Sequence, residues 1–214
     1  MTIFYTADLH LGHAYVAQLR GFDSADAHDA HILENISDTL SPNDTLFVLG
    51  DVTNGNDERE DEIAYAKLKS TLDAIGDVDA HLILGNHEAA HPFHSKAHLA
   101  LQRDYYRNTF QSITTHATHK FARNRAMIHH FPYSGDHSSP ESRFEEYRLR
   151  DYGKPIVHGH THATTPISFS TQGSVQCCVS VDAWDLRPVK KEVIDRLILT
   201  ERAVRPPRFA TPKR

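Results

Sequence analysis

The sequence predicts a single α/β domain, and three observations carry that expectation. Over the first 86 residues apolar runs and helical stripes alternate in the order strand, helix, strand, helix, strand, a succession that parallel strands joined by crossover helices produce. Five short apolar runs each end at once in Asp, Asn or His, the edge at which α/β sheets place their ligands. The 214 residues, 39% hydrophobic and 24% charged, are enough for one continuous core.

Taken in order, Ile3-Phe4-Tyr5-Thr6-Ala7 is the first strand and runs into Asp8-Leu9-His10-Leu11-Gly12-His13. Ser24 is placed to cap a helix whose Ile32, Ile36 and Leu40 recur at fourfold spacing, and Ser41-Pro42-Asn43-Asp44 stops it. A strand over 45–49 leads into Gly50-Asp51, and 53–57 is a loop. The next helix spans 58–75 with Ile63, Leu68, Leu72 and Ile75 expected inward, its acidic start suiting the positive end of the helix dipole. After Gly76-Asp77, the run Leu82-Ile83-Leu84 spills into Gly85-Asn86-His87-Glu88. A helix over 95–107 is expected to pack Leu99, Leu101 and Tyr105.

Beyond it the texture turns to antiparallel β: 110–121 is rich in Thr, Ile and Phe, and Arg123-Asn124-Arg125 reads as a turn before a strand over 126–130 that ends in His129-His130. Pro155-Ile156-Val157 runs into His158-Gly159-His160-Thr161-His162, and 167–171 with 175–181 form a hairpin about Gln172-Gly173. Leu186-Arg187-Pro188 is expected to start a last helix carrying Val189, Val193, Ile194 and Leu197. The domain is bounded at 1–203, and 204–214, with Pro206, Pro207, Pro212 and several basic residues, reads as a disordered basic tail. No internal repeat or linker interrupts it.

No apolar run approaches the roughly 18 residues that a membrane span needs, and the N-terminus carries no signal-peptide pattern. The two cysteines, Cys177 and Cys178, are adjacent and ill placed for an ordinary disulfide, which points to a reducing compartment and the cytoplasm. A net charge of -5 gives no general attraction to polyanions. An anionic substrate therefore needs a local source of positive charge, and bound metal is the obvious one. Histidine is abundant, 17 residues, of which His28, His31, His81, His91, His94, His98, His116, His119 and His137 are expected on solvated faces or in loops.

The strand ends collect Asp8, His10, Asp51, Asn86, His87, His130, His160 and His162. Carboxylate, imidazole and carboxamide without thiolate suit Mn²⁺, Fe²⁺, Zn²⁺ or Mg²⁺, and the number of donors suits two ions better than one. In Asp8-Leu9-His10 and His160-Thr161-His162, residues two apart on an extended chain point to one side, so each pair can converge. Taken singly, Asp8 and Asp51 could instead cap helices and Asn86 could shape a turn. His13 could reach a phosphate or bond the backbone. Glu88 is expected behind the site, holding a ligand histidine in its tautomer. His158 reads as a buried strand residue, structural or supporting a ligand, and whether Asp182 supports a ligand and Trp184 lies in the core stays open.

In that order, Asp-x-His, Gly-Asp, Gly-Asn-His-Glu, a lone His and Gly-His-x-His resemble the signature of the calcineurin-like metallophosphoesterases, from residue 3 to about 185. His129-His130-Phe131-Pro132-Tyr133 is similar to that family's Ser-His-Tyr-Pro-Tyr segment, with His129 in the serine position, and Val181-Asp182-Ala183-Trp184 looks like the closing strand of small bacterial and phage members. The resemblance implies a four-layer α/β/β/α sandwich with mixed sheets. It implies two divalent ions, Mn²⁺ first, with Fe, Zn, Mg, Ni or Co as substitutes. Asp8, His10 and His162 would hold one ion, Asn86, His130 and His160 the other, and Asp51 would bridge. His87 would face substrate as general acid, with His13, Glu88 and His129 touching substrate or supporting ligands. The implied reaction is hydrolysis of a phosphodiester or phosphomonoester, nucleotide-like by preference, by hydroxide activated between the ions. A DNA or RNA nuclease and a noncatalytic scaffold are the alternatives; the partner is a small phosphoester, with nucleic acid less favoured and no membrane.

Overall fold

The computed structural model describes residues 1–121, 124–137 and 142–204. Residues 205–214 of the expected tail, and Arg123 of the expected turn, lie outside the described residues. The first half runs β1 (Ile3–Thr6), α1 (Ala14–Leu19), α2 (Ala25–Thr39), β2 (Thr45–Val48), α3 (Glu58–Ile75), β3 (Asp79–Ile83), α4 (Ala97–Ala100) and α5 (Asp104–Thr109). The second runs β4 (Ser112–Thr114), β5 (His116–Phe121), β6 (Asn124–His129), β7 (Ile156–His158), β8 (Ile167–Phe169), β9 (Val175–Cys178), β10 (Val189–Lys190) and α6 (Lys191–Val204).

The strands form two mixed five-stranded sheets, ordered β10-β1-β2-β3-β4 and β5-β6-β7-β9-β8. β1 to β4 are parallel and β10 is antiparallel to β1; in the second sheet β6, β7 and β9 are parallel, flanked by antiparallel β5 and β8. Alternation along β1 sends Phe4 to one face and Tyr5 to the other. Phe4, Leu46, Val48, Ala80 and Leu82 meet Ile32 and Ile36 of α2 and Tyr65, Leu68 and Leu72 of α3. Tyr5, Leu49 and Ile83 instead meet Ile128, Val157, Val175 and Cys177 of the second sheet, and α6 adds Ile194 and Ile198 to this inner core. Each such buried aliphatic side chain stabilises by roughly 1.5–3 kcal/mol. Residues 131–137 and 142–152 are tied to the second sheet where Ser134 exchanges hydrogen bonds with Gln176 and where Ser170 and Ser174 donate to Asp151.

Capping follows the chemistry of the termini. Ser24 Oγ accepts from Ala27 N at 3.1 Å, and Asp57 accepts from Arg59 N and Glu60 N. Several expectations are corrected. Ile63 is 52% exposed: the inward stripe of α3 is 64, 65, 68 and 72, and a residue five before Leu68 falls off it. The helix expected over 95–107 is broken into α4 and α5, because Arg103 takes extended backbone (ψ 132) while binding Glu58 and the Tyr105 hydroxyl. Leu99 and Leu101 are exposed, and of the two α5 tyrosines Tyr106 is the buried one, edge-on to Tyr65 while Tyr105 lies tilted against the same ring.

Asn124 and Arg125 belong to β6, paired with Phe121 and Lys120, so they are strand and not turn. β4 pairs parallel with β3 and closes the first sheet. The last helix begins at Lys191, because Asp185 and Leu186 are left-handed (φ 50 and 58) and Val189 and Lys190 pair with the open edge of β1. Val181–Ala183 is a 3-10 turn where a closing strand was expected. Ahead of it Ala7 and Ser180 form a parallel bridge that links the sheets. His28 and His91, expected on solvated faces, are buried: the Arg20 guanidinium donates to His28 Nε2, and His91 packs edge-on to Phe131 and Tyr147.

Candidate metal centre

Because β1, β2, β3, β6 and β7 run in the same sense, their C-terminal ends open on one edge. Asp8 N donates to Gly50 O, His10 N to Asp51 O, and Gly159 N to His130 O, so the loops are laced to one another at 3.0, 3.0 and 2.9 Å. Within this lacing two clusters form, Asp8 with His10 and His162, and Asp51 with His130 and His160; in each, donor atoms lie within 4.8 Å of one another. Asn86 joins the second, its Oδ1 at 3.1 Å from His130 Nε2.

The convergence does not come from extended chain. Asp8, His10, Asp51, His160 and His162 all have positive φ, between 48 and 67. Two left-handed kinks, and not strand periodicity, turn the members of each Asp-x-His or His-x-His pair inward. Such backbone is strained for residues other than Gly and is characteristic of functional sites. Gly50 (φ 82) and Gly85 make room: a Cβ at Gly50 would stand 2.6 Å from His130 Nδ1, and one at Gly85 2.8 Å from the same ring.

Three of the four cluster histidines have an outer nitrogen engaged, whereas His10 Nδ1 is buried without a hydrogen-bond partner. His130 Nδ1 donates to Leu49 O (2.7 Å), His162 Nδ1 to Asp182 Oδ2 (2.9 Å) and His160 Nε2 to Asp136 Oδ2 (3.2 Å). In its neutral form each of those three rings turns its other nitrogen inward as an acceptor. His10 Nε2 and His162 Nε2 are 3.1 Å apart, and His130 Nε2 is 3.4 Å from Asp51 Oδ2. Only a proton or a cation between them relieves that arrangement, so the donor set fits divalent ions. Charge divides these rings into two kinds. Burial pushes His160 down to about 2 and His10 well below its ordinary value, which keeps both neutral. Burial would raise Asp51, but the adjacent His130 outweighs it and holds this carboxylate ionised; burial would likewise lower His130, but Asp51 raises it to about 9, so a proton fills the gap that a divalent ion would fill.

The remaining predicted residues are placed as follows. His87 lines the cleft; its backbone N donates to Asp51 Oδ1 and its Nδ1 to Asn54 O at 2.6 Å, with the ring edge-on to His10. His13 Nδ1 accepts from Val16 N at the start of α1, yet its ring meets His10 in the same cleft. Glu88 does not hold a histidine: its carboxylate accepts from the backbone amides of Asp51, Val52 and Gly85, fixing the two loops together, and burial beside Asp51 raises it to about 7. His129 points away, bonded to the backbone of Phe131. His158 is buried, its Nδ1 donating to Gly159 O. Asp8 and Asp51 cap no helix; Asp8 accepts the amide of His160 at 3.0 Å.

Of the residues behind the two clusters, sequence reasoning left Asp182 open and missed Arg20 and Asp136. Arg20 donates through Nε and Nη2 to both oxygens of Asp182, through Nη2 to Asp8 O, and through Nη1 to Leu9 O and His28 Nε2. All five of its N–H groups are thus used. Asp136 answers it on the other side, holding His160 while Arg143 and Arg148 neutralise it. No local pattern marks either acid; only the approach of distant segments reveals them.

A family model described as calcineurin-like phosphoesterase matches residues 1–164. The chain belongs to the calcineurin-like phosphoesterases. The gene 66 protein of Mycobacterium phage D29 is 35% identical over 198 residues, 87% of this chain and 92% of the relative. The gene 66 protein of Mycobacterium phage L5 is 31% identical over 205 residues, 90% and 92% of the two chains. The crystal structure of AQ665 from Aquifex aeolicus, titled a protein of unknown function, superposes with a TM-score of 0.60 at 21% identity, covering 92% of this chain and 99% of that one, a likeness of fold. This calcineurin-like protein is therefore a metal-dependent phosphoesterase whose two donor clusters suit a dinuclear centre. No helix among its described residues is long and apolar enough to cross a membrane.

Proposed function

We propose that this phosphoesterase hydrolyses a small nucleotide-like phosphodiester or phosphomonoester in the cytoplasm, with Mn²⁺ as its preferred ion. Asp8, His10 and His162 hold one ion, Asn86, His130 and His160 the other, and Asp51 serves both. The observation that carries this reading is the paired clusters of inward-facing acceptors sharing one edge. The charge of Asp51 acts on both His10 and His130, which supports its shared role. Two divalent ions, when bound, polarise a phosphoryl group and supply a nucleophile at neutral pH.

The chain's own residues do the rest. Asp182, Asp136 and Leu49 O fix which nitrogen of His162, His160 and His130 faces inward. His87 holds one proton at Nδ1 against Asn54 O, so a second proton at Nε2 is the one it gives to a departing alkoxide, and the neutral ring that remains keeps its Nδ1–H bond. The test is a panel of nitrophenyl mono- and diesters, cyclic nucleotides and oligonucleotides with Mn²⁺, Zn²⁺, Mg²⁺ and Ni²⁺. Metal-stimulated turnover of the small esters is expected. No turnover of any ester by fully metallated protein overturns the reading in favour of a scaffold, and preference for oligonucleotides makes it a nuclease.

A further inference from the structure

Two clefts meet beside the first donor cluster, sharing His137, Thr161 and its own His162. The wider, about 1140 Å³, is walled by hydroxyls and amides, among them Ser134, Ser142, Thr164, Ser168, Thr171 and Gln176. The narrower, about 430 Å³, has His10, His13 and His87 as its floor and Tyr15 and Leu19 at its lip. Tyr15 and Leu19 are four apart on α1, so they share a face, and they are 63% and 68% exposed. Tyr15 is held at an angle to His13, with ring centroids 6.4 Å apart.

Charge narrows what can fill the two spaces. Among the described residues lining either cleft Arg20 is the only Lys or Arg, and all its N–H groups are already used; the remaining basic groups are histidines. Arg143 and Arg148, beside the wider cleft, are engaged with Asp136. Glu145 also lines that cleft. Away from the metals and the histidines beside them, no unengaged Lys or Arg among the described lining residues compensates a second phosphate, or the extra charge that a monoester carries at neutral pH. A site for a terminal phosphoryl group needs one side arm; this one has two, apolar on one side and hydroxyl-rich on the other.

We infer that the substrate is a phosphodiester with two uncharged arms, a flat apolar one lying on Tyr15 and Leu19 and a hydroxyl-bearing one in the wider cleft, so that Tyr15 and Leu19 select the ester. This rests on the phosphoester reading above and narrows it. Stacking on one aromatic side chain is worth about tenfold in affinity. The test is calorimetric binding to the full-length, Mn²⁺-loaded protein of three probes, dimethyl phosphate, methyl phenyl phosphate and phenyl phosphate, alongside their hydrolysis. Methyl phenyl phosphate is expected to bind about tenfold more tightly than dimethyl phosphate and more tightly than phenyl phosphate. Tyr15→Ala with Leu19→Ser should close the gap between the two diesters while metal content holds. Tighter binding of phenyl phosphate, or a gap that survives the double substitution, overturns the inference with hydrolysis intact. The expected binding order without hydrolysis of any ester leaves the inference standing and removes the hydrolytic reading.

Discussion

Replacing Arg20 tests how the fold holds its ligands. The Arg20 side chain is 5% exposed and that of Asp182 15%, and the pair is bidentate at 2.8 and 2.8 Å. Arg20→Met keeps the length of the stem and removes every donor. Losing one partner of a buried ion pair costs about 3–5 kcal/mol. Asp182 keeps the Ser180 hydroxyl and His162 Nδ1, at 2.8 and 2.9 Å, and some solvent, which places the cost near the lower figure. For a chain of this size about 3 kcal/mol lowers Tm by roughly 6–12 °C, to be read by calorimetry in chelator so that metal does not mask it. A second consequence is local. Without Arg20 the carboxylate that orients His162 is free to turn, and loss of such support weakens metal binding by about 10–100-fold. After dialysis against limiting Mn²⁺, elemental analysis should show one ion lost and one kept. An unchanged Tm, or equal loss of both ions, would refute the reasoning.

The other expectations are separate. Asp51→Asn should lower metal content at both clusters and His10→Ala mainly at one; equal residual metal in the two variants contradicts the shared role of Asp51. His87→Asn should keep both ions and lose roughly 10²–10⁴-fold on alkyl or nucleoside esters, but much less on nitrophenyl esters, whose leaving group departs without a proton; equal losses would remove His87 from the acid role. His91 is pushed from 6.5 down to about 4 by burial and then by the charge of His130. The unfolded chain therefore binds the extra proton between those values, and the contribution of His91 is full above pH 6.5 and lost as pH falls towards 4, about 2 kcal/mol of it by pH 5. Urea midpoints of His91→Phe should differ less between pH 7.5 and pH 5 than those of the parent, and parallel curves would count against this. Leu68→Ala should cost about 2–5 kcal/mol and Ile63→Ala within about 0.5 kcal/mol, measured by the same unfolding; similar losses would put Ile63 back in the core.

The bounds of helix α3 were legible from its acidic start and Gly76, although Ile63 was wrongly set inward, whereas the break at Arg103 was not legible, since it depends on Glu58, 45 positions away. The donor clusters were legible as residue types at strand ends, but the reason they converge was not. Period-two reasoning assumes extended chain, and the backbone at Asp8, His10, Asp51, His160 and His162 is left-handed. That conformation costs of order 1 kcal/mol or more at each residue other than Gly, so something must hold it. The hydrogen bonds from Asp8 N to Gly50 O, from His10 N to Asp51 O and from His160 N to the Asp8 carboxylate do so, each tying one strained loop to another. Arg20 and Glu88 belong to the same restraint, since Arg20 grips Asp8 O and Leu9 O while Glu88 gathers the amides of Asp51, Val52 and Gly85. The strain of the left-handed residues is thereby offset by contacts of the chain itself, made between segments that lie far apart in sequence.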